Sequence, residues 1–340
     1  MDSSSIIIIF LIILIQLALY FFIIKKKKIF KFYEYNQIQK THLNFTPRLG
    51  GLVIFIVFYL YLLISVDLHS LNQLIVFLNG LMIIMIATKE DLYANVSPKK
   101  RFMTVLIASL LTVIFLDKLP NIEFYLVEEI FKNKYITVIF YTLCIALITN
   151  GINIIDGLNG HASLSLISSL ICLIYLNDFN LNGDSLPFIL LIFLIAFIFF
   201  NFPFGSIFLG DAGAYWLGWM TSILIINFFA YNNEINSWLA VVILFYPATE
   251  VLFSFTRKLI LKKSPFQPDL NHIHLKIYHL LKSSRYANPL STILLMPLTI
   301  FPIGYVYCAI NFNISIIFIL TLQIVIYLTY FVLLPEPKFK

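Results

Sequence analysis

Along the whole chain, apolar runs of roughly fifteen to twenty residues alternate with short polar segments. Runs of this length with almost no charge predict membrane-spanning helices rather than amphipathic helices of a soluble core. The first run is Ile6–Ile24, broken only by Gln16 and followed by Lys25–Lys28. A second opens after Lys40–Gly51 and runs to about Val66, a third ends near Thr88, and a fourth covers about Phe102 to Leu116. Ile136–Thr149 and Ala162–Leu176 are the fifth and sixth. The seventh ends at Asn201, the eighth near Ala230 and the ninth near Glu250, and two final runs flank Asn311–Asn313. The pattern predicts an all-α, polytopic integral membrane protein with about eleven spans, forming one membrane domain over residues 1–340. Within the loop from Asp117 to Tyr135, the longest on its side of the membrane, Glu123, Glu128 and Glu129 suggest an amphipathic surface helix.

Composition agrees: 60% of the 340 residues are hydrophobic and 12% charged, which excludes a soluble domain of this size. Cys144, Cys172 and Cys308 all lie inside apolar runs, with neither disulfide nor zinc spacing. Charge then sets an orientation. The lysine run follows the first apolar stretch instead of preceding it, which fits an anchor with its N-terminus outside better than a cleaved leader. With that start and eleven spans, the cytoplasmic segments are about 25–50, 89–101, 150–161, 201–213, 250–289 and the C-terminal tail. They hold 20 of the 23 Lys and Arg residues, as the positive-inside rule requires. The basic excess is therefore a topology signal, and no nucleic-acid partner is expected. Every polar, glycine-rich stretch falls on this one face, which favours a one-sided active site over a pore.

The centre of that face is Asn150–Gly160, where Asn, Asp and Gly crowd between two apolar runs. Such residues also make ordinary turns between helices, but a carboxylate at membrane depth, here Asp156, is a functional candidate. The other carboxylates on the face are the adjacent pair Glu90-Asp91, Asp211 in Gly210-Asp-Ala-Gly213, and Asp269. Adjacent carboxylates repel unless a cation or substrate compensates them, although a solvated helix end also tolerates them. His272 and His274 lie in a basic segment with His279, where exposed histidines are equally common; without cysteines, zinc is a weak reading. Pro265 and Pro268 are expected to keep this segment from continuing the ninth helix. Oxygen ligands of this kind suit Mg²⁺, which takes one or two carboxylates and completes its shell with water and phosphate oxygens. With basic and imidazole groups alongside, the set suits phosphoryl transfer between a soluble nucleotide compound and a lipid phosphate.

Five motifs, in order, are Thr46–Gly51 (Thr-Pro-Arg-Leu-Gly-Gly), Glu90-Asp91 with Ser97-Pro-Lys99, Asn153–Asn159, Phe208–Gly213 and Ser264–His274. On these the chain resembles the polyprenyl-phosphate N-acetylhexosamine-1-phosphate transferases, glycosyltransferase family 4. The first and last motifs look closer to the branch that primes surface polysaccharides from UDP-sugars than to the muramoyl-pentapeptide transferases. The resemblance implies transfer of N-acetylhexosamine-1-phosphate from a UDP-sugar to undecaprenyl phosphate at the cytoplasmic face of the bacterial inner membrane, with release of UMP. It implies Mg²⁺, with Mn²⁺ as a substitute, held chiefly by Asp211 with Asp156. It places Asp91, with Glu90, at the lipid phosphate, where Asp91 would take its proton, and Asp156 with Asn153 at the nucleotide diphosphate. Phe208 would lie near the uracil, and His272 and His274 near phosphate or sugar. Arg48, Lys99, Arg101 and Asn159 join the expected substrate-binding set, and a homodimer is the expected assembly. The chain departs from the family pattern at Glu90 (usually Asp), Asn159 (usually Asp) and Leu275 (often His). A catalytically weakened family member and a polytopic lipid or ion transporter remain the alternatives, the latter disfavoured by spans nearly free of charge.

Overall fold

The computed structural model describes residues 3–27, 46–65, 70–121, 128–179, 185–267 and 269–336. Lys28, Lys40, Glu123, Pro268 and the last lysines, which figure in the expectations above, lie outside that set. Among the described residues every regular element is helical. The chain runs through α1 (Ser3–Lys25), α2 (Gly50–Ser65), α3 (Leu71–Tyr93), α4 (Pro98–Phe115) and the one-turn α5 (Glu128–Phe131). It continues with α6 (Lys134–Ile155), α7 (His161–Leu176), α8 (Leu186–Asn201), α9 (Gly210–Tyr231), α10 (Leu239–Ile243) and α11 (Phe245–Ile260). The last third holds α12 (Ile273–Leu281), α13 (Ala287–Leu294), α14 (Met296–Thr299), α15 (Pro302–Asn311) and α16 (Ile316–Leu333). The protein is a multi-pass membrane protein: α1, α3, α6, α9 and α16 are long and apolar enough to cross a bilayer, and α2, α7 and α8 are shorter apolar helices.

The remaining three expected spans differ from simple apolar rods. α4 opens with Pro98-Lys-Lys-Arg101, capped by the Ser97 hydroxyl. The ninth is split. Pro247 has no N–H to give the Ile243 carbonyl and its ring crowds that oxygen, so α10 stops at Ile243 and α11 restarts at Phe245. α11 then passes Glu250 and continues to Ile260, farther than the apolar run alone suggested. The tenth is broken into α13, α14 and α15, with Pro297 and Pro302 each in the first turn of a new piece. The segment 250–289, expected as a basic loop, is thus largely helical.

α9 is the axis. Within its apolar window 89% of residues are buried, against 17% for the peripheral α16. It packs against α2, α3 and α6, with Trp216 and Trp219 fully enclosed. Small residues make the approach possible, as is usual where no hydrophobic effect drives helices together within lipid. Polar side chains tie the periphery on: Gln16 Nε2 donates to the Phe193 carbonyl at 2.8 Å, Asn79 to the Thr112 hydroxyl at 2.9 Å, and Gln323 to the Val242 carbonyl at 3.0 Å.

Among the described glycines, the least room for a Cβ is at Gly51, where α2 meets Gly213 of α9. A Cβ on Gly51 would stand 1.9 Å from the Gly213 Cα, where only backbone could yield. Gly51→Ala should therefore lower the melting temperature of the detergent-purified protein by an amount corresponding to at least about 1–3 kcal/mol of overpacking. Gly304→Ala, where a Cβ meets nothing within 4 Å, is the control and should be neutral or slightly stabilising. Equal melting curves for the two variants would disprove the close α2–α9 contact.

Candidate active site

Two motif segments far apart in sequence are laced together by backbone. The Thr46 hydroxyl donates to the Gly205 carbonyl at 3.1 Å and the Phe208 N–H to the Pro47 carbonyl at 2.8 Å. The Gly50 and Gly51 N–H groups return to the carbonyls of Phe208 and Leu209, both at 2.9 Å. This lacing carries Arg48 to the start of α9. There Gly210 adopts φ +76°, and a Cβ on it would lie 2.5 Å from the Arg48 carbonyl and 2.8 Å from Asp91 Oδ2, so both conformation and space demand glycine.

The first N–H groups of α9 have no helical partner, and Asp91, from the last turn of α3, supplies one. Its Oδ1 accepts the Asp211 N–H at 3.0 Å and its Oδ2 the Ala212 N–H at 2.9 Å. A buried carboxylate facing the positive end of a helix is well placed electrostatically. Beyond the role expected for Asp91 at the lipid phosphate, its two oxygens thus tie the start of α9 to α3 and hold Asp211 in place. Asp211, half-buried, instead pairs with Arg101 from α4. Arg101 also reaches within 3.9 Å of Glu90, whose second oxygen accepts the Val96 N–H at 2.8 Å.

Asn153 and Asp156 lie one turn apart at the end of α6, half-buried, and neither side chain has a hydrogen-bond partner among the described residues. Asn150 and Asn153 are thus helical; the turn itself is only Asp156–Gly160. Burial first, then the charges of Asp211 and Asp91, push the Asp156 carboxyl well above the usual carboxylate range, with Arg48 pulling the other way. Glu90, Asp91, Asp156 and Asp211 therefore share one end of the bundle with two guanidiniums, Arg48 and Arg101. Lys99 is exposed at the edge, its ammonium 5.9 Å from the Phe266 ring, and Phe208 is half-buried in the turn before α9. Among the described residues no three His, Cys, Asp or Glu side chains converge to hold a metal ion alone. That donor set fits an ion that takes one or two carboxylates and leaves the rest of its shell to water and phosphate, as Mg²⁺ does.

The histidines occupy the neighbouring wall, and they are buried rather than displayed on a solvated loop. His272 and His274 stack with ring centroids 5.6 Å apart, and His161 follows 5.9 Å beyond His274. His272 Nδ1 lies 2.9 Å from Glu250 Oε2, and His161 Nε2 lies 3.0 Å from the Tyr246 hydroxyl. Burial, then His272 and His161, hold the His274 imidazole well below its ordinary range, so it is neutral. His274 presses on the Asp156 turn: a Cβ on Gly157 would stand 2.8 Å from its Nε2. Asp269 belongs to the support. Partial burial pushes its carboxyl up, but the Asn271 N–H and its Arg257 partner outweigh that and hold it low. Asn159 is also support, because its amide donates to the Pro203 carbonyl, its N–H to Asn288 and its carbonyl accepts from Thr292. It stands behind the site, where a buried neutral amide costs less than a carboxylate would. Glu250, Asn201 and Asn288 escaped the sequence reading because each is a lone polar residue at the margin of an apolar run.

Residues 73–229 match the family model described as glycosyl transferase family 4. A Bacillus subtilis (strain 168) protein named "Probable undecaprenyl-phosphate N-acetylglucosaminyl 1-phosphate transferase" is 28% identical over 272 residues, covering 79% of this chain and 73% of that protein. A Thermotoga maritima "Undecaprenyl-phosphate alpha-N-acetylglucosaminyl 1-phosphate transferase" is 29% identical over 72% of each chain. A Dictyoglomus turgidum "Phospho-N-acetylmuramoyl-pentapeptide-transferase" is 33% identical, over 54% of this chain and 60% of its own. The matched span holds Glu90, Asp91, Arg101, Asn153, Asp156, His161 and Asp211; Arg48 lies before it, and Glu250, His272 and His274 lie after it.

The environment of Asp156 has a pH signature. Its carboxyl holds the proton more tightly folded than unfolded, so its contribution to stability is present below the ordinary value, about pH 4. That contribution is lost as pH climbs toward the raised one. Asp156→Asn removes this dependence. In EDTA, the melting temperature of Asp156→Asn minus that of the wild type should increase from pH 5 to pH 8. A difference that does not change with pH would mean that Asp156 ionises without penalty.

Proposed function

This chain belongs to glycosyl transferase family 4, and from that premise we propose that it moves N-acetylhexosamine-1-phosphate from a UDP-sugar onto a polyprenyl phosphate. A phosphate oxygen of the lipid bonds to the sugar-bearing phosphorus, the bond from that phosphorus to the bridging oxygen breaks, and UMP leaves with the electron pair. The observation that carries the reading is the convergence, from five separate segments, of Arg48, Glu90-Asp91, Arg101, Asn153 with Asp156, and Asp211 at one end of an apolar bundle. Such a site brings a lipid-borne phosphate and a soluble diphosphate to the same depth.

In this reading Arg48 and Arg101 neutralise phosphate oxygens, with Arg101 exchanging its Asp211 partner for substrate. Asn153 and Asp156, on one face of the end of α6, position the diphosphate. Asp211 and Asp156 would hold Mg²⁺, whose chemistry is to neutralise charge developing on the transferred and leaving phosphates. Asp91 acts through the α9 cap, fixing where Asp211 points. Glu90 orients Arg101 and ties the α3–α4 turn through Val96. The positive-inside distribution supports a cytoplasmic site in a bacterial inner membrane, and the product is a lipid-linked sugar that begins a surface polysaccharide.

The test is UMP release by purified protein with undecaprenyl phosphate and a panel of UDP-N-acetylhexosamines. Release should require Mg²⁺ or Mn²⁺, stop in EDTA and not return with Zn²⁺. Asp211→Asn should lower turnover roughly a hundred-fold or more, the scale of losing one preorganised charge in a reaction centre, with the melting temperature little changed. Near wild-type release by Asp211→Asn, or full activity in chelator, would refute the assignment.

A further inference from the structure

Outside the carboxylate cluster, a buried ionisable group, Glu250, stands in the second turn of α11. It is 2% exposed, yet it meets two donors. Its Oε2 lies 2.9 Å from His272 Nδ1 and its Oε1 accepts the Ile273 N–H at 3.2 Å. The Tyr246 hydroxyl, one turn earlier, lies 3.0 Å from His161 Nε2, so two buried polar pairs, His161–Tyr246 and Glu250–His272, link α11 to the start of α7 and the start of α12. A carboxylate offers only acceptors. Its place therefore assigns the proton of the His272 ring to Nδ1 and leaves Nε2 as the nitrogen that binds or exchanges a proton. Nε2 has no partner among the described residues, and the side chain keeps a 6% opening. His272 stacks on His274, which itself rests on Gly157 beside Asp156; the His272 ring therefore borders the site.

We propose that Glu250 is a positioning residue for the transfer reaction: it fixes the orientation and tautomer of His272, so that Nε2 faces the phosphates of the UDP-sugar. The inference rests on the transferase reading. The arrangement is that of a ligand histidine oriented by an outer carboxylate, here without a metal on the ring. Packing alone does not account for it. An apolar residue would fill the space at lower desolvation cost, and the α12 start needs one acceptor for the Ile273 N–H, not an ionisable group bonded to a ring.

The experiment uses the full-length protein in detergent, ¹⁵N-labelled at its six histidines, with the His272 signals identified by their loss in His272→Ala. In the wild type, His272 should show a protonated Nδ1 and an unprotonated Nε2 at neutral pH or above; the opposite tautomer overturns the proposal outright. Glu250→Gln presents an amide donor, so the His272 proton should move to Nε2. Turnover at saturating UDP-sugar should then fall roughly ten- to a hundred-fold, as it does on removal of an outer carboxylate, with KM much less affected. In the His272→Ala background, Glu250→Gln should have little further effect, because it acts through the ring. Multiplying losses in the double variant, or wild-type kcat in Glu250→Gln, would reduce Glu250 to scaffolding. Absence of UMP release by the wild type would instead sink the transferase reading, while the tautomer measurement stands by itself.

Discussion

The carboxylate of Asp91 on the N-terminus of α9 is the interaction on which the rest of the site depends. α9 is enclosed on nearly all sides, so its first turn cannot turn to water for partners, and its unpaired N–H groups need an acceptor from within the protein. Asp91 provides two oxygens from a different helix. The same pair of bonds fixes α3 against α9, aims the Asp211 side chain and requires glycine at position 210. The lacing of Thr46–Gly51 against Gly205–Leu209 brings Arg48 to the same helix start.

The consequence is a deliberately unbalanced electrostatic site. Four carboxylates share one end of the bundle with two guanidiniums, and one of those guanidiniums is already engaged by Asp211 and Glu90. A protein optimised only for stability would not gather ionisable groups there, because each desolvated charge costs more than a hydrophobic replacement. Among the described residues these carboxylates outnumber the guanidiniums, and the side chains of Asn153 and Asp156 have no hydrogen-bond partner; both features suit the proposed cation and phosphorylated substrate. Stability is spent where chemistry is done.

The histidine wall obeys a different logic. His272, His274 and His161 form a stack whose ends are anchored by Glu250 and Tyr246, and its middle ring supports the Asp156 turn. The carboxylate end and the imidazole end of the site are thus one packed object. A change in the ring stack shifts Gly157, and with it the neighbouring Asp156.

The sequence alone determined that this is an all-helical, multi-pass membrane protein, because the length and purity of apolar runs respond to bilayer thickness and little else. It also made Glu90, Asp91, Asp156 and Asp211 conspicuous, since a carboxylate in an apolar chain is rare enough to count. Local chemistry marked some boundaries as well: Ser97-Pro98 starts α4, and the prolines at 297 and 302 break the tenth span. Which of these carboxylates caps a helix and which pairs with a guanidinium was decided only by tertiary structure. Asp91 and Asp211 look alike in sequence, and the difference is that α9 presents its N–H groups to one of them. Asn159 and Asp269 look like ligands until their partners, Pro203 and Arg257, are seen. Glu250 was invisible, because a single glutamate at the end of an apolar run carries no periodicity or motif. Its meaning lies in a contact with His272 twenty-two residues away, and such contacts exist only once the helices have packed.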